Sequence, residues 1–336
     1  MQDQLFACVR VTGVALALVA LTASAVSAQE VEVPRTPWGA PDLQGVWDRR
    51  TNTPLQRPRE LGNKAVYTEE EAAVIAAARD VVDIPGDATR VAGRAEGEHQ
   101  DIAETIGNYN GFWFDGGTTV VNRRTSLVTD PPNGRIPPIT PSAAQKRAAM
   151  RKAREGTNRH EPTPGGFVDD LGPGRYAVRC LVGFNTGPPM MSGAYNQNVQ
   201  VLQTEDHLVL WVEMIHDARI VPIDSHAPLD SDIAQWLGSS RGYWDDDTLV
   251  IETTNFRGET SFMGGQSDAN LHLTERLTRT SPATLTYEVT VDDPTAWTAP
   301  WTYEVPWQPS DGPIFEYACH EGNYGLYNIL AGAAAR

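Results

Sequence analysis

The sequence predicts a mainly β protein, an antiparallel lipocalin-like barrel or half-barrel with a few peripheral helices and a long N-terminal arm. Three observations predict it. From about residue 175 onward, apolar residues recur with period two, as in NVQVLQ, HLVLW, LHLTERLTR and TLTYEVTVDD, the spacing of half-buried strands. Short turn-forming stretches at residues 204–207 and 245–247 separate these runs, so consecutive strands are expected to pair as a meander. One-sided alternation leaves one wet face, and curling the sheet closed removes its exposed edges.

Taken in order, residues 1–28 read as a secretory signal peptide. Arg10 precedes the run VTGVALALVALTASAV, and Val26, Ser27 and Ala28 form a small-residue cleavage site. The arm follows over residues 29–110, rich in Pro and turn residues, with a short strand expected at Gly45–Asp48. It carries one helix, TEEEAAVIAAARD, in which Thr68 and Glu71 have the spacing of a capping box. The β-rich ligand or catalytic domain is assigned to residues 111–336. In it, two β-rich runs flank the turn Asp130-Pro131-Pro132-Asn133-Gly134. Thr140 and Pro141 supply an N-cap and a first-turn proline for PSAAQKRAAMRKARE. In the strands beyond, Leu271, Leu273 and Leu277 share one face, as do Leu285, Tyr287, Val289 and Val291. WTYEVPW and IFEYAC continue the strand series, and GLYNILAGAAA closes the chain as a helix.

The net charge of −16 survives signal removal, because one Asp and one Arg leave together. So acidic an exported chain argues against nucleic acid as a partner, and no later stretch is apolar enough to insert in a membrane. The expected location is periplasmic or secreted, and the expected partner a small molecule. Cys8 leaves with the signal, so Cys180 and Cys319 remain and are expected to pair in an oxidising compartment. Closing so long a loop stabilises by about 4 kcal/mol in the chain-entropy view.

Ionisable residues on strands point to chemistry. If residues 208–220 form one strand, either His216 or the set Glu213, Asp217 and Arg219 is carried inward. Buried titratable groups are costly unless paired or used. His216 and Asp217 are the candidate base and orienter, with His320 or Glu321, at the end of FEYACHEGN, as proton donor. Arg123 and Arg219 are candidate anion holders, and Tyr109, Trp113 and Tyr195 are candidate pocket-lining aromatics. No HExxH or CxxC occurs, and neither an organic cofactor nor a metal is assigned. A metal held by His216, His272 and His320 from neighbouring strands is the alternative.

The strings PDLQGVW, RRTSLVTDPP, EMIHDARIVPID, DDTLVIETTNF and EYACHEGNYG resemble an uncharacterised family of secreted bacterial proteins. The resemblance runs over most of the chain after the signal and implies no activity, cofactor or catalytic residue. The residues themselves point to an exported, cofactor-independent acid/base enzyme, a lyase or hydrolase, acting on a small apolar or aromatic molecule. The competing readings are a periplasmic carrier of an apolar ligand inside the barrel and a metal-assisted hydrolase.

Overall fold

The period-two runs form one antiparallel sheet that curls into a nearly closed barrel. The computed structural model describes residues 32–79, 120–153, 155, 180–182, 186–193, 195–224, 227, 229–258, 262, 267 and 269–334. The expected signal peptide, Tyr109 and Trp113 lie outside the described residues. The strands are β1 (Gly45–Asp48), β2 (Val128–Asp130), β3 (Asn198–Gln203), β4 (His207–Val212), β5 (Ala218–Pro222), β6 (Ser239–Asp245), β7 (Thr248–Thr254), β8 (His272–Ser281), β9 (Thr284–Asp292) and β10 (Trp301–Pro309). Nine of them run in the order β5-β4-β3-β1-β10-β9-β8-β7-β6, while β2 pairs with the first residues of β10.

The meander is interrupted once. β1 sits between β3 and β10, with Trp47 opposite Val199 on one side and Pro309 on the other. Residues 45–48, placed in the arm by the sequence, are therefore a stave of the barrel.

Alternation carries one residue in two to the interior. Leu273 and Leu277 of β8, then Leu285, Tyr287, Val289 and Val291 of β9, are fully buried. β10 adds Trp301, Tyr303 and Trp307, and β1 adds Trp47. Tyr287 stacks on Trp307 with ring centroids 4.8 Å apart and meets Tyr303 edge-on at 6.4 Å. Large aromatic side chains thus fill the interior along β1, β9 and β10, where each contributes the area that dominates core energetics.

The helices are peripheral. In α1 (Glu69–Arg79) the capping box forms as expected. The Thr68 N–H donates to Glu71 Oε2 at 2.8 Å, and the Glu71 N–H donates to Thr68 Oγ1 at 3.2 Å. Thr140 Oγ1 caps α2 (Pro141–Ala153) through the Ala143 N–H at 3.1 Å. The last described residues form α3 (Tyr324–Ala334). Among the described residues no helix is long and apolar enough to cross a membrane.

Three sequence expectations are corrected. Residues 208–220 are not one strand: β4 and β5 fold back on each other, with Leu210 opposite Arg219. The turn is a 3-10 segment at Met214–His216, closed by the Val212 N–H on the Asp217 carbonyl at 2.8 Å. IFEYAC is not a strand either. Residues 313–318 run as an irregular strap, with Phe315 65% exposed, held by its contacts rather than by a ladder. After the turn at residues 131–134 there is no second strand. Ile139 makes one bridge to Trp297 before α2 begins.

Candidate functional site

Nine strands cannot alternate in direction all the way round a ring. Eight antiparallel steps return β6 to the direction of β5, so the two ends of the sheet meet in parallel. They do so at a single bridge, Ile223 to Gly242, where the Asp224 N–H donates to the Gly242 carbonyl at 2.9 Å. Gly242 permits the approach, since a Cβ there would stand 3.3 Å from Val221 Cγ1 and 3.4 Å from Leu249 Cδ1. Away from the bridge the strands leave a cleft of about 420 Å³ in the barrel wall. Asp217, Arg219 and Ile220 line one side and Ser239, Ser240 and Arg241 the other, with Leu229, Gln235 and Leu237 from the connecting loop.

Arg219, on the cleft wall, reaches into a buried polar cluster. Its Nη1 donates to Glu275 Oε1 at 2.8 Å, Nη2 donates to Glu275 Oε2, and Nη2 also donates to Thr253 Oγ1 at 2.9 Å. Nε donates to Ser240 Oγ at 2.9 Å. Glu275 is wholly buried on β8, and its Oε1 also accepts the Tyr287 hydroxyl at 2.6 Å. The Tyr287 oxygen in turn accepts the Met190 N–H at 2.9 Å. Burial alone would lower the Arg219 pKa, but the adjacent Glu275 carboxylate outweighs it and the net shift is upward. Burial, reinforced by Glu275, pushes the Tyr287 phenol well above its ordinary value. The cluster is a fixed charge platform with its hydrogen bonds made.

Asp217 stands differently. It is half-buried at the cleft wall, and desolvation raises its pKa against the opposing charges of Arg219 and His216. No hydrogen bond ties its carboxylate to a described neighbour, whereas Glu275 has four donors. A carboxyl of that kind can take up or release a proton as a bound molecule changes its surroundings.

The structure brings His216, Asp217 and Arg219 together and leaves the other candidates elsewhere. His216 is exposed on the 3-10 turn, with Nδ1 3.0 Å from the Tyr317 carbonyl. It therefore fastens the strap, while Asp217 faces the cleft. Arg219 is spent on Glu275, so its expected role as a free anion holder is corrected to that of a buried partner. Arg123 lies 3.7 Å from Glu69 at the start of α1 and does not line the cleft. Tyr195 is half-buried against the core and near Tyr317, whose phenol is raised by burial and then by Tyr195. His320 and Glu321 are exposed beyond the strap and do not reach the cleft. Cys180 and Cys319 form the expected disulfide, with Cα atoms 5.9 Å apart. His272 is occupied by Glu252 on the outer face, and among the described residues no three His, Cys, Asp or Glu side chains converge.

Sequence reasoning missed Glu275, Ser240 and Thr253. Glu275 had a signal: it falls between Leu273 and Leu277 on a face whose every second residue is apolar. No family model, no curated protein and no solved structure matches the chain.

Proposed function

We propose that the seam cleft is the active site of an exported acid/base enzyme, a lyase or hydrolase acting on a small molecule, with Asp217 as the residue that exchanges the proton. The observation that carries this reading is the position of Asp217. Its unanchored carboxyl lines a cleft of about 420 Å³, next to the buried pair of Arg219 and Glu275. Cavities of this size suit small ligands. Leu229, Leu237, Ile220 and Pro222 offer an apolar side to the substrate, and Ser240 and Arg241 a polar one. Arg219 acts on Asp217 as a fixed positive charge, favouring the carboxylate after the proton has left. Burial favours the acid before it leaves, and the balance suits a group that must visit both states.

The carrier reading calls for room inside the barrel. Trp47, Trp301, Trp307, Tyr287 and Tyr303 occupy the interior, which favours a ligand at the seam over one in the lumen.

The test is a panel of ester, amide and β-elimination substrates, assayed with the wild type and Asp217→Asn. General acid/base catalysis contributes about 100- to 10,000-fold, and Asp217→Asn is expected to lose at least the lower figure while keeping its fold. Wild-type turnover by Asp217→Asn on the substrate the wild type processes would remove Asp217 from the mechanism.

A further inference from the structure

The edge of β5 that faces the cleft presents backbone groups turned away from β4. In the pairing of β4 with β5, the Val212 N–H bonds the Asp217 carbonyl and the Ile223 N–H bonds the Asp206 carbonyl, both at 2.8 Å. Both are directly opposed pairs, so the odd residues of β5 direct their N–H and C=O groups to β4. The even residues, Ala218 and Ile220, direct theirs to the seam. Among the described residues no ladder pairs these two with β6, and neither bonds a backbone group outside the strands.

The sequence itself stops the seam from closing. The bridge of Ile223 with Gly242 sets the parallel register, and the next rung would need an N–H from residue 222 to the Ser240 carbonyl. Residue 222 is proline and has none. The Ser240 carbonyl accepts Arg241 Nη1 at 2.8 Å instead. What remains is a donor–acceptor pair at Ala218 and another at Ile220, about 6.8 Å further along the strand, that face the seam outside any ladder. Paired N–H and C=O groups at that repeat complement another extended backbone.

We propose that the seam cleft binds an extended peptide, which pairs with Ala218 and Ile220 along β5. This names the substrate class of the proposed active site and rests on that reading only for the position of the reacting group. Asp217 precedes Ala218 directly, so a ligand paired to the edge is delivered beside that carboxyl.

The probe is the blocked peptide acetyl-Ala-Val-Ala-Val-amide, with two analogues N-methylated on alternate residues, titrated calorimetrically into the wild type. Only alternate residues of an added strand turn their N–H toward β5. One analogue should therefore lose at least about tenfold in affinity and the other should bind as the parent does. Ile220→Pro removes the edge donor, on a residue whose side chain is 61% exposed and whose N–H is not used by β4. It should lose binding to the same extent. Equal affinity for both analogues, or no binding of the parent at millimolar concentration, would overturn the proposal. A dimer dissolved by Ile220→Pro but not by the peptide would also overturn it, assigning the edge to a second copy of the chain. Alternating binding without turnover of any substrate would leave this inference standing and remove the enzyme. Asp217-dependent turnover without peptide binding would do the reverse.

Discussion

Glu275→Leu, made with Arg219 in place, is expected to destabilise the protein by about 3–5 kcal/mol, because it strands a guanidinium inside the barrel without its carboxylate. Arg219 is buried and Glu275 wholly so, so water cannot replace the lost partner without opening the seam. Tyr287 and Thr253 lose an acceptor in the same step. The double variant, with Arg219→Met added, should recover at least half of the loss. Apolar replacement of a whole buried pair is often neutral or stabilising, whereas removing one member is not. Urea unfolding of the two variants beside the wild type checks this. If the double variant is less stable than Glu275→Leu alone, the pair does not act as a unit and the platform assigned to it fails.

The second large effect belongs to the disulfide. Cys319→Ser opens a cross-link spanning 139 residues and should cost about 4–5 kcal/mol by the entropy regained in the unfolded chain. It should also loosen the strap, which is otherwise held by the Phe315 N–H on Glu213 Oε1 at 3.3 Å and by His216 on the Tyr317 carbonyl. A reductant should shift the wild-type thermal midpoint down to that of Cys319→Ser and leave the variant unmoved. A wild type indifferent to reductant would show that the bond does not constrain the unfolded chain.

What was legible in the sequence is what depends on local period. The hairpins of β3 with β4, β6 with β7 and β8 with β9 announce themselves by alternation, the first two also by the polar residues between their strands. The turn joining β4 to β5 does not. EMIHDA contains no Gly, Pro or Asn, yet Ile215 and His216 adopt φ of 63° and 50°, a region such side chains rarely enter. Read as one strand, that stretch put Leu208 and His216 on one face. Folded back, it sends even residues of β4 and odd residues of β5 inward. The strap failed for the opposite reason. FEYAC alternates well, but its disulfide and its bonds to Glu213 and His216 hold it to the barrel as an irregular segment.

The candidate site was half legible. His216, Asp217 and Arg219 stood out as ionisable residues among apolar ones, and all three lie at or beside the seam. Their roles were not legible, because the partner that fixes Arg219 lies 56 residues away on β8 and pairing across a barrel leaves no trace in local pattern. The place of β1 was hidden in the same way. A four-residue strand in a Pro-rich stretch gives no hint that it will separate β3 from β10.

The central claim is that the seam makes Asp217 a poised acid. The direct test is a pH titration of its side-chain carboxyl carbon by NMR. A raised carboxyl binds its proton more tightly folded than unfolded. Its ionisation therefore subtracts stability as pH rises from the ordinary value of 3.8 through the folded one, and the loss persists at neutral pH. The account predicts a midpoint above 3.8, and an Asp217→Asn variant more stable than wild type at neutral pH but not in acid. A midpoint at or below 3.8 would mean that the neighbouring Arg219 and His216 charges outweigh burial. Asp217 would then be an ordinary carboxylate, and the proton-transfer role assigned to the cleft would be contradicted.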